Sequence, residues 1–329
     1  MTRIVRAFGT SHSAMLMAEL DNWIDLFDHI DRRAPIHDFE GVPRSYEELL
    51  EPARARTGDL LSREEITNRF SATQEAMERL RAEIASARLD ALIVIGDDQN
   101  EIFKSASRPA IAIFGGAAIR NAAAPASIAP GDWYTLAQSR RLEPNREAYY
   151  PCHDKLAVHL IESLTTSGFD LTALMSLDKG TAEGHAYSFI HRRYMNGGAI
   201  PMVPIFLNTY YAPNRPTPAR CLELGRALRD AVNHFPGDLR VGVMASGGLS
   251  HFLVNERLDQ EVIECLRRKD IAYLATIDPV LLQSGSSEIR NWICTAQCAS
   301  ELELRWLNYI PAYRSRALTG VGLCFASWE

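Results

Sequence analysis

Three histidines in this chain stand just behind runs of small residues. His12 follows Gly9-Thr10-Ser11, His185 follows Gly180-Thr181-Ala182-Glu183-Gly184, and His251 follows Gly247-Gly248-Leu249-Ser250. Two acidic positions complete the set: Asp97-Asp98-Gln99-Asn100-Glu101, directly after an apolar run, and Glu288, four residues before Trp292. Imidazole changes charge near neutral pH and binds divalent metals through a neutral ring nitrogen, so such residues suit proton transfer or metal ligation. Carboxylates and side-chain amides add harder oxygen donors. Each position also has a plain structural reading. A histidine behind a glycine turn can belong to the core, carboxylates behind a strand can cap a helix, and Glu288 in a first helical turn suits the helix dipole.

A parallel sheet would bring these residues together. Residues 240–244 are apolar and β-branched enough for a buried strand, and Ser246-Gly247-Gly248 lets the backbone turn tightly before His251. Residues 3–8 repeat that pattern ahead of His12, and 89–96 form the cleanest buried strand, with the acidic cluster at its end. Further strands are expected over 110–114, 170–177, 200–207 and 318–328, and helices over 19–33, 153–167, 218–234 and 259–268. Ser45-Tyr46-Glu47-Glu48 reads as a capping box, and 62–87 as the longest amphipathic helix. Residues 35–43 read as a loop holding His37, Asp38 and Glu40, and 180–186 as a loop presenting His185. The irregular stretch 117–151 is too long for a plain connector and is expected to cover the site. Open α/β sheets bind ligands beyond the carboxyl ends of their strands, where His12, Gln99 and His251 fall. The expected fold is α/β: a single domain over residues 1–329 with a central, mostly parallel sheet flanked by helices, and a helical insertion at about 20–87.

Composition narrows the function classes. A net charge of −6 with no lysine or arginine block argues against a nucleic-acid surface. No run of about 18 apolar residues and no signal-peptide pattern occurs, so a cytoplasmic protein away from membranes is expected. The six cysteines, at 152, 221, 265, 294, 298 and 324, fit no small disulfide framework and read as reduced, buried thiols. Cys294 and Cys298 share a helical face, but no second pair of matching spacing makes a metal site with them. His153 and His159 read as helix-capping or core residues, and Tyr210, Tyr211 and Asn214 as a polar aromatic loop able to face a ring.

His12 in Gly-Thr-Ser-His, the strand ending in Asp98-Gln99, His153 opening a helix, Gly247-Gly248-Leu249-Ser250-His251 and Glu288 four before Trp292 together resemble the class III extradiol dioxygenases, across nearly the whole chain. The resemblance implies a non-haem Fe(II) enzyme that opens the ring of a catechol-type aromatic acid, such as protocatechuate, gallate or 3-O-methylgallate, with O2. It implies His12 and Glu288 as metal ligands, His251 as the acid/base and His185 as a substrate contact. A homodimer is expected, with a small accessory subunit as the further partner the family allows. The family's second histidine ligand is missing: without gaps, its position falls on Gln99, a neutral and weaker donor. Asp98, Glu101 or His37 are alternatives for completing the site. Two other readings stay open, a non-catalytic subunit or scaffold relative that has lost the metal and a metal-assisted enzyme of different chemistry on the same fold.

Overall fold

The computed structural model describes residues 1–25, 28–33, 36–196 and 200–329. Its main sheet is built from β1 (Arg3–Thr10), β2 (Ala91–Asp97), β3 (Ile111–Phe114), β4 (Thr172–Leu174), β5 (Met202–Leu207), β6 (Arg240–Ser246), β7 (His251–Leu253), β8 (Leu304–Tyr313) and β9 (Thr319–Trp328). In space the order is β7-β9-β1-β6-β2-β5-β3-β4, with β8 paired along β9. Strands β1, β6, β2 and β5 run parallel, so Thr10, Ser246, Asp97 and Leu207 end on the same side of the molecule. The flanking pairs β1–β9 and β5–β3 are antiparallel.

Every residue of β2 is buried, as an inner parallel strand with both faces covered requires. Alternate side chains enter two cores. Ile93 and Ile95 meet residues of α3 (Asp154–Thr166), α5 (Pro218–His234), α6 (Glu256–Arg268) and α7 (Ile289–Cys298), while Leu92 and Val94 meet α2 (Arg63–Ser86) and α4 (His185–Arg193). The α1 helix (Tyr46–Thr57) opens with the expected capping box, Ser45 and Glu48 bonding each other's backbone. Ser62 caps α2, the 24-residue helix.

The α/β architecture agrees with the sequence, and its differences are local. The expected 170–177 strand shortens to β4, at the sheet edge. The 117–151 stretch is less irregular than expected, with a strand pair, Ala118–Asn121 with Ala148–Pro151, and a short helix, Trp133–Ser139. His185 does not sit in a loop but begins α4, with Gly184 as its cap. Strand β8, unassigned from sequence, pairs with β9 along its length. Of the expected helix over 19–33, Leu20–Asp25 and Asp28–Asp31 are helical; Leu26 and Phe27, and Ala34 and Pro35 at the start of the expected loop, lie outside the described residues. All six cysteines are free and buried. Among the described residues no helix is long and apolar enough to cross a membrane.

Candidate active site

The parallel strands deliver their C-terminal residues to one cavity of about 380 Å³, lined by His12, Gln99, Glu101, His185, His251 and Glu288 among others. That volume falls near the lower end of the ~300–1,000 Å³ usual for small-molecule sites. All five residues singled out for metal binding or catalysis therefore meet. His37 does not: it lines a separate small pocket on the far side of His251.

At the cavity floor His12, Asp97, His185 and Glu288 each present a donor atom, all within 4.8 Å of one another. His12 comes from the turn after β1. Its Nδ1 lies 3.0 Å from Ser246 Oγ, and that hydroxyl donates to Ala186 O at 2.7 Å, so Nδ1 carries the proton and Nε2 faces the cavity with its lone pair. His185 is set the same way by Glu101, whose Oε1 accepts from the His185 backbone N–H at 2.8 Å and Oε2 from Nδ1 at 2.7 Å. The two Nε2 atoms face each other at 3.1 Å. A carboxylate or hydroxyl behind each imidazole is the arrangement that orients metal-binding histidines.

Glu288 is positioned by the helix that follows it. Gly248 N–H donates to its Oε2 at 2.7 Å, Trp292 Nε1 one turn on donates to Gly247 O at 2.7 Å, and Asn291 Nδ2 to Ser246 O at 2.9 Å. The start of α7 is thereby pinned to the turn after β6. Gly247 has φ +113°, and a Cβ there would fall 2.3 Å from Glu288 Oε2, so the glycine makes room for the carboxylate. Gly285 does the same for His251, whose ring would lie 1.9 Å from an added Cβ. His251 Nε2 is 3.3 Å from Glu288 Oε1, on the cavity wall.

Asp97 is the residue that sequence reasoning passed over in favour of its neighbours. It is fully buried, its Oδ2 accepts from Gln99 at 3.2 Å, and its Oδ1, 3.8 Å from both His12 Nε2 and His185 Nε2, has no hydrogen-bond partner among the described residues. The signal available was its place as the last residue of a buried strand. Asp98 is turned away and holds the backbone N–H groups of Ile102 and Phe103, at 2.8 and 3.2 Å. Gln99 lines the cavity and bridges the two carboxylates, its amide nitrogen 3.2 Å from Asp97 and 3.4 Å from Glu288. His153 caps α3, and His159 bonds Ala231 O, both away from the cavity. Tyr210 reaches Ser284, and Tyr211 bonds Asn100 beneath the Arg108 guanidinium.

Electrostatics follow from this crowding. Burial, and then Glu288 beside it, push Asp97 up to about 6. Burial opposes charge on His185, but Glu101 and Asp97 outweigh it and raise the imidazole to about 9. Burial likewise opposes ionisation of Glu101 and Glu288. His185 with Arg141 nevertheless brings Glu101 down to about 2, and His251 with His12 holds Glu288 well below the usual carboxylate range. Glu288 also raises His251 against burial. Proton and metal are alternative cations for such a site. The donor set fits a divalent metal on three counts: two imidazoles whose outer nitrogens are already engaged, two carboxylates, and one buried oxygen with no hydrogen-bond partner among the described residues.

Residues 64–284, more than half of the chain, match the family described as the catalytic LigB subunit of aromatic ring-opening dioxygenase, and the chain belongs to this family. His12 and Glu288 fall outside the matched stretch and are joined to it by the fold. A stretch of 108 residues is 32% identical to gallate dioxygenase of Pseudomonas putida, covering 32% of this chain and 30% of that protein. Another of 81 residues is 37% identical to the 2,3-dihydroxyphenylpropionate/2,3-dihydroxicinnamic acid 1,2-dioxygenase of Mycobacterium ulcerans, covering 25% of this chain and 23% of that protein. The chain thus spans less than a third of the length of either relative.

Proposed function

We propose that this chain is an Fe(II)-dependent extradiol dioxygenase that opens the ring of a catechol-type aromatic acid with O2. The observation that carries the reading is the convergence of His12, His185, Asp97 and Glu288 on one point of a cavity that His251 also lines. These four residues would hold the metal, with Gln99 tying the two carboxylates together, so that Asp97 and His185 supply what the family's missing histidine would have given. Bound there, ferrous iron supplies Lewis acidity toward the ring hydroxyls and redox access to O2.

The chain's own groups do the rest. His251 Nε2 takes a proton from a ring hydroxyl and returns it as the ring opens, with Glu288 3.3 Å away favouring the imidazolium that forms in between. Phe189, Phe252 and Ile30 in the cavity wall provide apolar surface for the ring. Glu101 and Ser246 keep the two imidazoles in the ligating tautomer throughout. The reading includes a cytoplasmic homodimer in which the helices between 20 and 87 form an insertion on a single domain.

Anaerobic titration of the metal-free protein with ferrous iron, followed by oxygen uptake on catecholic and gallate acids, tests this. One iron per chain and substrate-dependent oxygen consumption are expected. His251→Ala should keep the iron while losing turnover by about 10²- to 10⁴-fold, the usual worth of a general acid/base. A folded wild-type protein that binds no iron would instead favour the relative that has lost its metal, and wild-type turnover in the His251→Ala variant would remove that residue from the mechanism.

A further inference from the structure

The cavity carries two arginines, Arg141 and Arg314, among its lining residues. Arg314 is committed. Its Nε and Nη2 bond the two oxygens of buried Asp31 at 2.9 and 2.5 Å. Arg141 is engaged differently. Its Nε donates to Gln138 Oε1 and its Nη1 to Ser188 Oγ, each at 3.2 Å and each a neutral acceptor. The carboxylate that faces it, Glu101, is 3.7 Å from Nη2, and both oxygens of that carboxylate already accept from His185. A guanidinium presents five N–H groups in a planar fork suited to a carboxylate, and the bonds made here leave part of that fork for a ligand.

Its place relative to the donor cluster matters as much as its charge. Glu101 and the His185 ring link Arg141 to the converging donor atoms, so the guanidinium and the donor cluster face one cavity, at separate places along its lining. Asp97, Glu101 and Glu288 would repel an anionic substituent elsewhere in the site. Tyr134 and Gln138, from the short helix over the cavity, stand in the same lining and add polar groups beside the guanidinium.

We propose that Arg141 is the specificity-determining residue of this site, binding the carboxylate of a ring-dihydroxylated aromatic acid and selecting it over neutral catechols. The proposal rests on the dioxygenase reading for its substrate class, but its test does not depend on turnover alone. In the iron-loaded wild type and in Arg141→Gln and Arg141→Lys, kcat and KM would be measured for gallic and protocatechuic acids and for their amides, which keep the shape and lose the charge. Calorimetric binding of acid and amide would be measured alongside.

The expected result is that Arg141→Gln lowers the acid-over-amide ratio of kcat/KM by about 10- to 100-fold, the range for a hydrogen bond to a charged group, mainly through KM. Arg141→Lys should retain part of the preference, with iron content unchanged in both. Equal losses for acid and amide would overturn the proposal and make Arg141 only the counter-ion of Glu101, leaving the dioxygenase reading intact. An unchanged ratio would overturn it as well. Acid binding that depends on Arg141 in a protein that turns over neither acid would break the dioxygenase reading while the anchor stands. Acid and amide bound equally by wild type, with no turnover, would overturn both.

Discussion

Asp31 and Arg314 meet in the wall of the cavity with opposite charges matched oxygen for nitrogen, and Thr319 Oγ1 adds a further bond to Asp31 Oδ2 at 2.5 Å. At the strand ends a short way off, two carboxylates and two imidazoles converge, Glu101 and Asp97 favour the protonated form of His185, and Asp97 Oδ1 bonds nothing among the described residues. Both clusters are desolvated. The first neutralises itself and ties Asp31 to the segment between β8 and β9. The second draws a proton onto His185 in place of a metal's charge, and the fold, by holding it there, trades stability for a binding site. Buried charge alone therefore says little about function. What distinguishes the functional cluster is that its charge is met by an exchangeable cation, proton or metal, rather than by a fixed ion pair.

Removing a charge should accordingly act in opposite directions on the two clusters. The largest effect is expected on metal affinity: His12→Ala and Asp97→Asn should each weaken ferrous iron binding by more than about 100-fold, since even residues behind metal ligands are worth about 10- to 100-fold. Gln99→Ala should stay within that lesser range. Equal losses for Gln99→Ala and Asp97→Asn would move Gln99 into the ligand set.

Next in size is stability. Asp31→Asn removes the carboxylate charge that Arg314 bonds through two of its nitrogens and should destabilise the protein by about 3–5 kcal/mol in urea unfolding. Asp97→Asn in the metal-free protein should be neutral or stabilising, because burial and then Glu288 disfavour the Asp97 charge more than His185 and His12 favour it. If both variants lose stability alike, the contrast between the clusters fails.

The smallest effect concerns an intermediate case. Asp259 is buried and accepts from Ser250 N, Ser250 Oγ and Tyr309 OH, at 2.9, 2.6 and 2.7 Å, but bonds no cation among the described residues, and burial pushes it up to about 7 despite those bonds. A carboxyl raised above its ordinary value of 3.8 favours the folded state at low pH, and that contribution is lost as pH climbs from about 4 through 7. The Tm of wild type relative to Asp259→Asn should therefore fall over that interval and level off above it. Parallel curves would show that Asp259 ionises in the fold as it does in the unfolded chain.

Much of the fold was legible because its signals are local. Apolar runs marked β1, β2 and β6, a capping box marked α1, and small residues marked the turns that expose His12 and His251. Strand β8 escaped, because its pattern of buried and partly exposed residues has meaning only beside β9. The start of α4 at His185 escaped too, since Gly180 and Gly184 read as a loop and the N–H of His185 is held from 84 residues away by Glu101.

At the site, a strand end followed by small residues and a histidine, a pattern carried by neighbours in sequence, singled out His12 and His251 as candidates, and Glu288 entered with the family resemblance. Asp97 and Gln99 could not be ranked that way. They are two residues apart, both polar, both at the end of β2, and only the register of β2 between β6 and β5 turns Asp97 toward the imidazoles while Gln99 bridges the carboxylates. The chain's own order thus determined which kinds of groups are present and at which strand ends. Which of them lose water together, and which oxygen is left without a partner, depends on packing between segments far apart in the chain, and that the tertiary structure alone decided.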